Sequence, residues 1–73
     1  MYRYKIELVT ATDMKKFVDI ASKVDGKVYL IDGTGFKVSG KSLLGAACTV
    51  EWSSLYCESE KNIYTEIERW CVD

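Results

Sequence analysis

The sequence predicts an α+β fold: one four-stranded antiparallel sheet with three helices on one of its faces, in the order βαββαβα. Three observations predict it. The opening residues alternate polar and apolar, so one face of a first strand is covered and the other is wet. The apolar period then lengthens to that of a helix, and β-rich and helical segments succeed one another to the end. Strands whose helices all lie on one side make an open-faced sandwich.

In "MYRYKIELV", Tyr2, Tyr4, Ile6 and Leu8 fall at every second position, with Arg3, Lys5 and Glu7 between them. Met14, Phe17, Val18, Ala21 and Val24 then follow helical spacing, while Lys15, Lys16, Asp19 and Lys23 lie mostly elsewhere. Thr10, Thr12 or Asp13 supplies the oxygen that caps this helix, expected near residues 12–24, and Asp25-Gly26 closes it. "KVYLI" and "FKV", separated by the turn residues "DGTG", form a hairpin over about 27–38 with a loop longer than two residues.

A short helix near 42–49 follows, with Ser42 as N-cap or first-turn residue and Leu43, Leu44, Ala47 and Val50 as its apolar side. "SSLYCE" supplies a fourth strand. Ser59 is expected to cap a last helix near 60–71, in which Ile63, Ile67, Trp70 and Cys71 recur at helical spacing. The shared core is expected to draw on Tyr4, Ile6, Phe17, Ile20 or Ala21, Leu30, Leu44, Ile63 and Ile67.

Seventy-three residues without a Pro-rich linker, repeat or low-complexity segment make one domain, 1–73. So short a chain buries only about 60 % of the surface its unfolded form exposes, and its stability margin is thin. No apolar run approaches the roughly 20 residues of a membrane span, and the alternating start is unlike a signal peptide, so a cytoplasmic chain is expected. Ten Lys and Arg against eleven Asp and Glu leave a net charge of −1 with no basic block, which argues against a nucleic-acid partner. Lys15 and Lys16 read as a solvated helix face.

Cys48, Cys57 and Cys71 form no C-x-x-C pair, and the chain contains no histidine to complete a common zinc set. They are expected to be reduced and mostly buried, with neither metal nor cofactor. Lack of histidine also removes the Ser-His-Asp and Cys-His triads. Glu58, Glu60, Glu66 and Glu68 read as the wet face of the last helix. "GFKVSGKS" matches the phosphate-loop pattern G-x-x-x-x-G-K-[ST] literally, but its four inner residues read as a strand, and the chain is too short for a nucleotide-binding sheet.

Two stretches resemble HPr, the phosphocarrier family of the bacterial sugar phosphotransferase system. "FVDIASK", Phe17 to Lys23, is similar to the body of that family's first helix, and "KSLLG", Lys41 to Gly45, to its K-S-[IL]-[ML]-G around a regulatory serine. The spacing between them agrees, with about one extra residue in the "DGTG" loop, and the likeness fades after Cys48. The family's active site, G-[LI]-H-A-R-P-A, precedes its first helix. Here "LVTATDM" stands in its place, with Thr10 at the histidine, Ala11 matching, Thr12 at the arginine and Asp13 at the proline.

A phosphohistidine carrier needs an imidazole nucleophile and a cation beside the phosphoryl oxygens. With both missing, the resemblance implies no phosphocarrier activity, and the chain is expected not to be an enzyme. It implies instead phosphorylation at Ser42 by an HPr kinase and a role like that of the histidine-lacking regulatory member Crh. The implied partner is a protein, a kinase or regulator of the phosphotransferase system, met through Lys41, Leu43, Leu44, Thr10 and Thr12. Two alternatives stay open: a scaffold that keeps only the fold and binds something unrelated, and a degenerate carrier using Thr10 or Thr12. Ser42 can also be a helix cap and nothing more.

Overall fold

The computed structural model describes residues 1–72, and for Val50 and Glu51 the backbone alone. The chain runs β1 (Tyr2–Lys5), α1 (Ala11–Ser22), β2 (Val28–Ile31), β3 (Lys37–Ser39), α2 (Leu43–Ala47), β4 (Tyr56–Ser59) and α3 (Tyr64–Ile67). Tighter 3-10 turns prolong α2 over Cys48–Glu51 and α3 over Glu68–Trp70. The strands lie in the order β1-β4-β2-β3, every neighbour antiparallel. This is the α+β architecture expected from the sequence. Among the described residues, no helix is long and apolar enough to cross a membrane.

Register divides the sheet into a dry and a wet face. Tyr4, Cys57, Leu30 and Val38 stand in one cross-strand row and pack on the core side. The adjacent row, Arg3, Glu58, Tyr29 and Ser39, points the other way. Ile6, Phe17, Ala21, Leu30, Ile63 and Ile67 are buried as expected, and Met14, Val28, Ala46, Leu55, Cys57 and Trp70 join them. Phe17 and Trp70 meet edge-on, their ring centres 5.8 Å apart, which ties α1 to the turn after α3.

Asp32 organises the hairpin loop. Its Oδ1 accepts from the Thr34 amide at 2.8 Å, the Thr34 hydroxyl at 2.7 Å and the Phe36 amide at 2.9 Å. These bonds hold its carboxyl below the usual aspartate range, the Thr34 hydroxyl having the largest effect. Beyond Lys5 the first strand continues into a bridge between Ile6 and Cys71. Ile6 donates to the Leu55 carbonyl at 3.0 Å, Glu7 to that of Trp70 at 2.9 Å, and Val72 to that of Lys5 at 2.8 Å.

Several expectations are corrected. Leu44 is not in the core: it is 81 % exposed, and Leu43 is 52 % exposed. The buried member of α2 is Ala46 instead, while Ala47 is exposed and Val50 lies outside the described side chains. The cause is close approach at Gly45, where a β-carbon would lie only 2.8 Å from the Ser39 carbonyl oxygen. A five-residue helix held that tightly against β3 has room inside for a methyl group and not for a leucine.

Ser59 does not cap the last helix. It ends β4 with its side chain buried, and its Oγ accepts from the Lys61 amide at 3.1 Å. The helix starts later, at Tyr64, after Asn62 has taken the Tyr64 amide at 3.2 Å and the Tyr4 hydroxyl at 3.0 Å. Tyr4, bound this way, is half-buried at the margin of the core. Cys48 is exposed, Cys57 buried and Cys71 half-buried, so one of the three thiols departs from expectation. Glu58 and Glu60 belong to the sheet and the turn after it rather than to a helix, and Glu60 accepts the Lys27 amide at 2.6 Å.

Candidate functional site

The residues singled out in the sequence stand at the starts of α1 and α2, two helices that pack on each other. Thr10 is the N-cap of α1, in extended backbone, and its Oγ1 accepts from the Asp13 amide at 3.0 Å. Asp13 answers: its Oδ2 accepts from the amides of Thr10 and Val9, each at 3.3 Å. This is a capping box with aspartate as the reciprocating acid. The Thr10 amide does most to hold the Asp13 carboxyl below the usual aspartate range. Thr12 stands in the first turn, exposed.

Ser42 is the N-cap of α2. Its Oγ accepts from the Gly45 amide at 3.2 Å, and its carbonyl accepts from the Ala46 amide at 2.9 Å. Glycines flank it on both sides for a shared reason. A β-carbon at Gly40 would meet Val28 at 2.9 Å, and one at Gly45 would meet the Ser39 carbonyl. Both close approaches fix where the Ser42 turn sits, half-buried at the end of β3.

Lys41 is placed differently from a simple companion of Ser42. Its Nζ donates to the Val24 carbonyl oxygen at 2.8 Å, just past the C-terminal end of α1. A cation there meets the negative end of the helix dipole. Leu43 and Leu44 point outward beside Ser42 and form an apolar step on the surface. Arg3 and Lys37 lie on the far face of the sheet instead, paired with Glu58.

A cleft of about 420 Å³ opens between the residues leading into α1 and the segment before β4. Val9, directly before Thr10, lines it together with Thr49, Trp52 and Ser54. Trp52 also meets Phe36 edge-on at 6.0 Å, although Phe36 read as a strand residue in the sequence. Only the hairpin geometry turns Phe36 out of the sheet, so no local signal marks this pair. Thr49 is buried, with its hydroxyl donating to the Ala46 carbonyl at 2.7 Å.

No family model matches the chain, and no curated protein matches it. A solved structure does: HPr-C-His from Thermoanaerobacter tengcongensis superposes with a TM-score of 0.70 at 21% sequence identity, covering 94% of this chain and 84% of that one. The likeness shows that the fold is that of an HPr protein.

Proposed function

We propose that the chain is a non-catalytic, HPr-like regulatory protein of the phosphotransferase system, binding a protein partner beside Ser42 and switched by phosphate on that serine. The observation that carries the first half is the capping box. Thr10, which the resemblance sets at the family's histidine, is a hydroxyl engaged as a helix cap, and the positive end of α1 is already covered by the Asp13 carboxylate. An incoming phosphoryl group meets a fixed negative charge where a carrier needs a nucleophile and a cation. Phosphate on threonine is also far less labile than on histidine, so neither Thr10 nor Thr12 makes an effective carrier.

The second half rests on Ser42. Phosphorylation adds about −1.5 to −2 charge at a helix start, where first-turn amides can donate to its oxygens. The phosphate displaces Ser42 Oγ as acceptor for the Gly45 amide and can take that bond over, so the modification is tolerated without unfolding. Its effect falls on binding, because the new anion stands next to exposed Leu43 and Leu44. Lys41, held by the Val24 carbonyl, neutralises little of it.

Two incubations test this. With phosphoenolpyruvate and the general phosphotransferase enzyme, the protein takes up no acid-labile phosphate, and Thr10→His alone recovers little because Thr12 and Asp13 remain. With an HPr kinase and ATP, mass mapping finds phosphate at Ser42, lost in Ser42→Ala. Efficient labelling in the first reaction overturns the non-catalytic reading. An untouched Ser42, under a kinase active on ordinary HPr, leaves Ser42 as a cap and the fold as a scaffold with another partner.

A further inference from the structure

The sheet face turned away from the helices carries a constellation of its own. The two central strands, β4 and β2, present Tyr56 and Tyr29 there, with Ile31 directly across from Tyr56. The outer strands border them with cations: Arg3 and Lys5 from β1, Lys37 from β3. The Arg3 guanidinium lies 4.6 Å from the centre of the Tyr56 ring, and the Lys37 ammonium 4.9 Å from that of Tyr29. Among the strand residues of this face Glu58 is the one acid, 3.5 Å from Lys37 and 3.9 Å from Arg3. The face is therefore net positive on a chain whose net charge is −1.

Ile31 is 3 % exposed although it sits on the wet side, so the floor between the tyrosines is dry. Tyr29 pairs with Glu58 and Tyr56 with Ile31, which makes the two tyrosines diagonal neighbours, about 7–8 Å apart at their α-carbons. Two aromatic side chains on adjacent central strands of a four-stranded antiparallel sheet, bordered by cations, form a surface on which bases stack while phosphates are held at the rim.

We propose that this face binds single-stranded nucleic acid, with Tyr29 and Tyr56 each stacking on a base and Arg3, Lys5 and Lys37 contacting phosphates. The side chains of Arg3 and Lys37 are 54% and 50% exposed, so both can swing from ring to phosphate and uncover the rings as they do. An acidic peptide would use the cations and leave the rings without a planar partner; a base uses both. The whole-chain balance of charge pointed away from such a ligand because many of the acids lie elsewhere, among them Asp13, Asp19 and Asp25 on α1 and the turn after it and Glu66 and Glu68 on α3 and its extension. The inference concerns the face opposite α1 and α2 and does not depend on the reading of Ser42.

The test is fluorescence anisotropy of labelled oligouridylate and oligothymidylate titrated with the full chain. Saturable binding is expected, and three phosphate contacts weaken it roughly twentyfold between about 50 and 200 mM salt. Tyr29→Leu and Tyr56→Leu, checked for folding by circular dichroism, each weaken it by about tenfold. Glu58→Gln removes the acid and tightens it, a gain that damage to the fold cannot produce. Absence of binding to either oligonucleotide overturns the proposal, and so does binding that ignores both tyrosines. Equal binding of polyglutamate with the same salt dependence also overturns it, in favour of an acidic protein partner.

Discussion

Thr10 and Asp13 hold each other: the threonine hydroxyl accepts the aspartate amide at 3.0 Å, and the aspartate carboxylate accepts the threonine amide at 3.3 Å. Each residue does half the work of starting α1. At the place where the resemblance puts a nucleophile, this chain has a pair devoted to its own backbone.

Loss of that pair is measurable as stability. Thr10→Ala is expected to cost about 1 kcal/mol in urea unfolding, and Thr10→Ser, which keeps an acceptor oxygen, less. A double-mutant cycle with Asp13→Asn should show that the two effects are not additive.

Acid should expose the carboxylate's part. The folded protein holds the Asp13 carboxyl below its ordinary value of 3.8, so its contribution is present above that pH and lost as pH falls through the lower folded value. Asp32, lowered in the same direction, adds to the slope. Unfolding midpoints of Asp13→Asn should therefore fall less steeply on the acid side than those of the native chain. Parallel profiles would contradict the assignment.

Leu44 and Ile67 should behave oppositely. Leu44→Ser, at an exposed position, is expected to change stability by no more than about 0.5 kcal/mol in urea unfolding. Ile67→Ala empties a fully buried site and should cost about 2–5 kcal/mol.

The three thiols should separate in a single labelling time course. Cys48 is exposed and reacts first with Ellman's reagent. Cys71, half-buried, has its thiol pushed up chiefly by burial and follows slowly. Cys57 is pushed up to about 12 by burial and reacts only when the chain unfolds. Cys57 labelling as fast as Cys48 would mean that the β4 core row opens freely.

The elements with sustained periodicity were legible in the sequence. Tyr4, Ile6, Phe17, Ala21, Ile63 and Ile67 repeat at two or near 3.6 residues, and the structure packs them all against one core. Short elements were not. Five residues of α2 cover little more than one turn, so periodicity could not say whether Leu44 or Ala46 faces inward; the close approach to β3 that Gly45 permits, a tertiary fact, decided it. Of the site, Thr10 and Ser42 as caps could be read from hydroxyls placed before apolar runs. That Lys41 would reach Val24, seventeen positions earlier in the chain, could not.

The place of β4 between β1 and β2 governs the order in which the molecule can be assembled. β2 can close its hairpin with β3 as soon as both are made, since only a short turn separates them. β1 has no such local mate. Its strand partner is Tyr56–Ser59, and the bridge on its other edge waits for Cys71. During synthesis β1 therefore emerges before its partner and stays without that pairing until Tyr56–Ser59 have followed it. Arg3, Lys5 and Glu7 set a charge at every second position of that waiting segment, a pattern that disfavours edge-to-edge pairing between chains.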